Sequence, residues 1–141
     1  MRDKVFFDTN ILVYLQSGMD AAKTKVSRQI IEKSSSENLV VLSTQILQEF
    51  YVAMTRKLGH DPITIKNILL LFTDFEIVTI NPSIIFDAID ISVLQQLSFW
   101  DSLIISAASY SHCKKVYSED LNHGQVIRGV EIVNPYKSDT L

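Results

Sequence analysis

Apolar residues arrive in short runs separated by longer stretches of helical periodicity. Five runs, Lys4–Asp8, Leu39–Leu42, Phe75–Ile80, Lys115–Ser118 and Val130–Val133, have the length and the Val, Ile and Phe content of strands, and Pro135 stops the last. Between them, apolar positions recur three and four residues apart. This spacing predicts helices over Ile11–Gln16, Ala21–Lys33, Thr44–Leu58, Pro62–Phe72, Pro82–Gln95 and Trp100–His112. Pro62 and Pro82 fit the first helical turn, where a missing N–H leaves no bond unmade. Ser34-Ser35-Ser36 reads as a short loop. Strands alternating with helices predict an α/β fold, with a central, mostly parallel sheet of about five strands and helices on both faces. The 141 residues fit one domain spanning positions 1–141, with neither repeat nor Pro/Gly-rich linker.

In such a sheet, ligands bind beyond the C-terminal ends of the strands. Asp8 closes the first run, Asp120 follows the fourth, and Asp101 heads the last long helix. With four glycines in the chain, neither a P-loop nor a dinucleotide fingerprint is present. Acids gathered at one sheet edge instead fit a metal site, and oxygen ligands select hard cations such as magnesium or manganese.

Each acid also has a plainer reading. Asp8, within Val5-Phe6-Phe7-Asp8-Thr9-Asn10-Ile11-Leu12, fits an N-cap as well as a metal ligand; burying it uncompensated costs several kcal/mol. Asp101 shares a face with Ile104, Ile105 and Ala108, and a cap is open there too. Glu49 falls outside its helix's apolar stripe, beside Gln45 and Arg56, as expected of either a solvated face or a face turned to a cleft. Asp120 sits among turn formers, with Glu119 adjacent. Arg56 lies seven residues beyond Glu49, almost back on the same face, so it is expected in the same groove, holding a phosphate.

Taken in order, Phe7-Asp8-Thr9-Asn10-Ile11-Leu12-Val13-Tyr14, Gln48-Glu49-Phe50, Phe99-Trp100-Asp101-Ser102-Leu103-Ile104 and Tyr117-Ser118-Glu119-Asp120-Leu121-Asn122-His123-Gly124 resemble the PIN-domain nucleases, and among them the VapC-type toxins of toxin–antitoxin pairs. The resemblance runs from Val5 to about Tyr136. It implies a single PIN-like domain and a Mg²⁺- or Mn²⁺-dependent ribonuclease whose metal pocket is Asp8, Glu49, Asp101 and Asp120. Thr9 and Asn10 are implied as orienting groups and Ser118 as the hydroxyl residue before the last acid, a position for which Glu119 competes with Asp120. It further implies an RNA substrate, a cognate antitoxin and a homodimer.

Charge and composition adjust this picture. Net charge is −3, unhelpful for binding RNA, but setting the four acids aside leaves 12 of the 16 acidic residues against 13 basic ones. Lys23, Lys25 and Arg28 form one candidate basic cluster, Arg56 and Lys57 another. A single cysteine, Cys113, and the absence of a signal-like start or an apolar span predict a cytoplasmic protein without a membrane segment. Three other readings compete. A histidine-based ribonuclease would need paired His, and His60, His112 and His123 are scattered. A receiver-type phospho-acceptor would want an acid where the chain has Thr79-Ile80-Asn81. A non-catalytic PIN-like nucleic-acid-binding module would tolerate loss of an acid, and all four are present.

Overall fold

The computed structural model describes residues 2–137; the ends of the expected span 1–141, residue 1 and residues 138–141, lie outside the described residues. The strands are β1 (Lys4–Phe7), β2 (Leu39–Ser43), β3 (Glu76–Val78), β4 (Cys113–Tyr117), β5 (Val126–Ile127) and β6 (Val130–Val133). They form one sheet in the order β3-β2-β1-β4-β6-β5. All pairings are parallel except β5 with β6. The helices are α1 (Thr9–Ser17), α2 (Ala21–Glu37), α3 (Thr44–Val52), α4 (Pro62–Phe72), α5 (Pro82–Gln95) and α6 (Phe99–Tyr110). Val5, Phe6 and Phe7, consecutive in β1, are all at most 1% exposed, so both faces of the central strand are covered. Among the described residues no helix is long and apolar enough to cross a membrane.

The expected α/β alternation is present, with three local departures. β5 was not expected. It pairs with β6 through Arg128 and Gly129, both at positive φ (52° and 77°), a two-residue hairpin turn. Arginine is a poor signal for such a turn, and here its guanidinium bonds Asp87 at 3.1 Å. The predicted loop Ser34-Ser35-Ser36 is instead the last turn of α2, since Ser34 is small enough to be buried in helical form.

The third departure lies in the predicted helix Thr44–Leu58. It is α-helical only to Val52 and continues as a π-helical turn, Ala53–Lys57. Leu58 N–H donates to the Ala53 carbonyl at 3.1 Å, five residues back, and the Thr55 hydroxyl donates to the Tyr51 carbonyl at 2.7 Å.

The strand order explains where a ligand fits. From β1 the chain runs outward through β2 to β3, then returns to place β4 on the other side of β1. Chain direction therefore diverges between β1 and β4, and the crevice at such a point opens at the strands' C-terminal ends. Asp8 and Ser118 are the residues immediately after those two strands.

Candidate active site

A cleft of about 470 Å³ opens there, lined by Asp8, Glu49, Asp101 and Asp120 together with Thr9 and Asn10. Gln48, Val52, Ala53, Ile104 and Lys57 complete its lining. The structure thus brings the predicted acids to one cavity. Among the described residues no three Asp, Glu, His or Cys side chains form a ready-made ion cage. The acids share a cleft without enclosing a point.

Asp8 is both cap and cleft residue. It precedes α1, and one carboxylate oxygen accepts from Thr9 N–H at 2.7 Å while the other accepts from the Ser118 hydroxyl at 2.8 Å. The same hydroxyl accepts from Asp120 N–H at 3.2 Å, so Ser118 ties the ends of β1 and β4 together. No cation pairs with Asp8 among the described residues. Burial pushes its pKa from 3.8 up to about 7; the bonds from Ser118 and Thr9 work against that rise, and Glu49 and Asp120 add to it.

Glu49 is held from two sides, by the Thr9 hydroxyl at 2.7 Å and by the Gln45 amide at 3.4 Å. Gln45 is 4% exposed and also donates to the Trp100 carbonyl at 3.1 Å, linking α3 to the start of α6. Asp101 is not the cap of α6. Ser98 fills that role, its hydroxyl accepting from Asp101 N–H at 3.1 Å, which leaves the Asp101 carboxylate for the cleft.

Asp120 is exposed and accepts from the Asn10 amide at 3.0 Å. Desolvation, with Glu119 and Asp101 nearby, raises its pKa above the ordinary carboxylate value.

Glu119 shares the Asn10 amide with Asp120, at a longer 3.5 Å, but its shorter bonds go elsewhere. It accepts from Tyr14 at 2.5 Å and pairs with Lys23 at 2.7 Å, and it does not line the cleft. Lys23, expected in a basic cluster, is thereby neutralised, and it also sits 4.9 Å from the Tyr14 ring centroid.

Arg56 requires a correction. It is exposed and absent from the cleft wall, and Lys57 stands there instead. The π turn adds one residue to the helical repeat, so the position that returns to the face of Glu49 falls eight residues on and not seven. Sequence reasoning also passed over Gln45 as a site residue, although its i, i+4 spacing to Glu49 was a usable signal. None of the three histidines lines the cleft; His123 accepts from Asn134 N–H at 2.9 Å, a structural task.

A mostly parallel sheet with acids at its switch point, reached from β1, α3, α6 and the end of β4, defines the class. The sequence model of the PIN domain matches residues 5–128, and the chain belongs to that family. Solved structures share the fold. A toxin–antitoxin complex from Klebsiella pneumoniae is 22% identical, with TM-score 0.71, covering 94% of this chain and 98% of its own. VapC20 of Mycobacterium tuberculosis, a sarcin-ricin loop cleaving toxin, is 19% identical, with TM-score 0.66, covering 81% and 88%. DNA-bound VapBC from Salmonella typhimurium is 18% identical, with TM-score 0.66, covering 94% and 97%. No curated protein sequence matches the chain.

Proposed function

We propose that this chain is a divalent-metal-dependent ribonuclease and the toxin of a toxin–antitoxin pair. The observation that carries the reading is the buried Asp8, without a cation partner, in a cleft it shares with Glu49, Asp101 and Asp120. An all-oxygen donor set suits Mg²⁺ or Mn²⁺, and neither Cys nor His is in reach to favour zinc. Asp8, Glu49, Asp101 and Asp120 would hold the ion. When bound, it supplies charge neutralisation at the scissile phosphate and makes the attacking water more acidic.

The chain's own groups then position the acids. Ser118 and Thr9 N–H fix both oxygens of Asp8, the Thr9 hydroxyl and Gln45 fix Glu49, and Asn10 fixes Asp120. The Thr9 hydroxyl donates to Glu49 and orients it; the attacking group in this reading is a water made more acidic by the bound ion. RNA with splayed bases suits an open cleft of this size better than a duplex does. Purified protein is expected to cleave single-stranded RNA with Mg²⁺ or Mn²⁺ and to lose activity in chelator. Undiminished cleavage in excess chelator refutes metal dependence; RNA bound without cleavage favours a non-catalytic module.

The partners follow from relatives that occur as toxin–antitoxin complexes and from exposed apolar side chains. Phe86, Val93 and Leu94 on α5, Leu70 and Leu71 on α4, and Trp100 are each more than half exposed, which fits coverage by protein. A homodimer binding a cognate antitoxin in the cytoplasm accounts for them, and the lone buried Cys113 suits a reducing compartment. Light scattering on the isolated chain is expected to give twice the monomer mass; a monomer at all concentrations removes the dimer.

A further inference from the structure

We propose that Lys57 is a phosphate-binding residue that fixes the RNA backbone one or two nucleotides from the scissile bond, and that the π turn Ala53–Lys57 is what places it there. The inference rests on the nuclease reading above. Four carboxylates in its lining make the cleft, without a bound cation, repulsive to RNA. Among the described residues, Lys57 is the one basic side chain in its wall. The ion pairs present join Lys4 to Glu76, Lys23 to Glu119 and Arg128 to Asp87, so among the described residues no acid neutralises Lys57.

Position follows from the backbone. In an uninterrupted α-helix Arg56 would return to the face of Glu49, and Lys57 would lie about 80° away from it. With one residue added by the π turn, Lys57 takes the face that Arg56 would have held. Met54 within the turn stays 1% exposed, so packing against the core is retained while the outer face is re-registered. Two helical turns put Lys57 roughly 10 Å from Glu49 along the axis. Val52, Ala53 and Ile104 line the cleft as well, and their apolar surface suits the face of a base.

The test uses Lys57→Ala, Lys57→Arg and Arg56→Ala in the full chain, with single-turnover cleavage of a single-stranded RNA oligonucleotide at several salt concentrations. Binding of the same labelled oligonucleotide is followed by fluorescence anisotropy in an Asp101→Asn background. Lys57→Ala is expected to raise the half-saturating concentration and the Kd about fivefold, the scale of one exposed ion pair. It should also lower the log–log salt slope by about 0.7, the value for one phosphate contact on a single strand. The limiting cleavage rate should hold, Lys57→Arg should retain most of the affinity, and Arg56→Ala should match wild type.

Wild-type affinity and slope in Lys57→Ala would overturn the assignment, as would an equal loss in Arg56→Ala, which would mean diffuse surface charge. If wild type binds RNA without cutting it, the nuclease reading fails while the binding data still decide for or against Lys57. If wild type neither binds nor cuts RNA, both fall.

Discussion

Asp8→Asn and Asp101→Asn are each expected to reduce RNA cleavage about a thousandfold or more, the scale seen when a preorganised charge in an active site is removed. Shape is nearly conserved in both, and neither carboxylate anchors the fold by an ion pair. Melting curves should therefore show folded protein. Were Asp8 only the cap of α1, its pattern would invert, with full activity and a stability loss of about 1 kcal/mol. Glu119→Gln supplies the contrast. It weakens the Lys23 pair and the Tyr14 bond that join α1 and α2 to the end of β4, outside the cleft. Stability should fall by about 1 kcal/mol while cleavage stays within about tenfold of wild type. A thousandfold loss there would move Glu119 into the site in place of Asp120.

The second large effect is on stability. Asp8 has an ordinary value of 3.8 and a folded value of about 7. Between these the folded state holds more protons than the unfolded one, so the contribution of Asp8 to stability falls as pH rises through that window. Below about pH 4 both states are protonated and the penalty is absent; above about pH 7 it is fully present. Metal-free Asp8→Asn should therefore melt higher than metal-free wild type at pH 8, by something of order 2–4 kcal/mol or roughly 5–10 °C, and lose this advantage toward pH 4. Added Mg²⁺ should raise the wild-type melting temperature at pH 8 and leave Asp8→Asn nearly unmoved. Parallel melting profiles of both proteins across that range, with and without Mg²⁺, decide it. Identical pH dependence would show that Asp8 is ionised without penalty.

Much of this was legible in the residues because both the strands and the acids carry local signals. Val5-Phe6-Phe7-Asp8 combines a two-faced apolar run with a carboxylate that no surface position would explain. Ser98 as the cap of α6, which frees Asp101, is visible in Ser98-Phe99-Trp100-Asp101 once the helix start is known. What escaped was set by tertiary context. β5 relies on a hairpin turn with Arg128 in a conformation usually given to Asn or Gly. The π turn leaves no mark on hydrophobic periodicity, because Met54 stays in register with Phe50 and only the exposed side shifts. Arg56 and Lys57 are chemically alike and adjacent, so no composition argument separates them. The partners of Glu119 come from α1 and α2, far away in sequence, and only the fold shows that they occupy it.

The position of β1 has a consequence for synthesis. Its neighbours are β2, with Phe6 opposite Val41, and β4, with Phe7 opposite Tyr117. A chain still emerging from the ribosome can pair β1 on one side early, but the other edge stays open until the stretch ending at Tyr117 has appeared. Such non-local closure is slow and leaves an unpaired strand edge exposed meanwhile. Ser118 and Asp120 arrive only after that stretch, so until then the nascent polypeptide carries Asp8 and Glu49 without a finished cleft. A ribonuclease site that includes Asp120 would be completed only once the residues after β4 have been made.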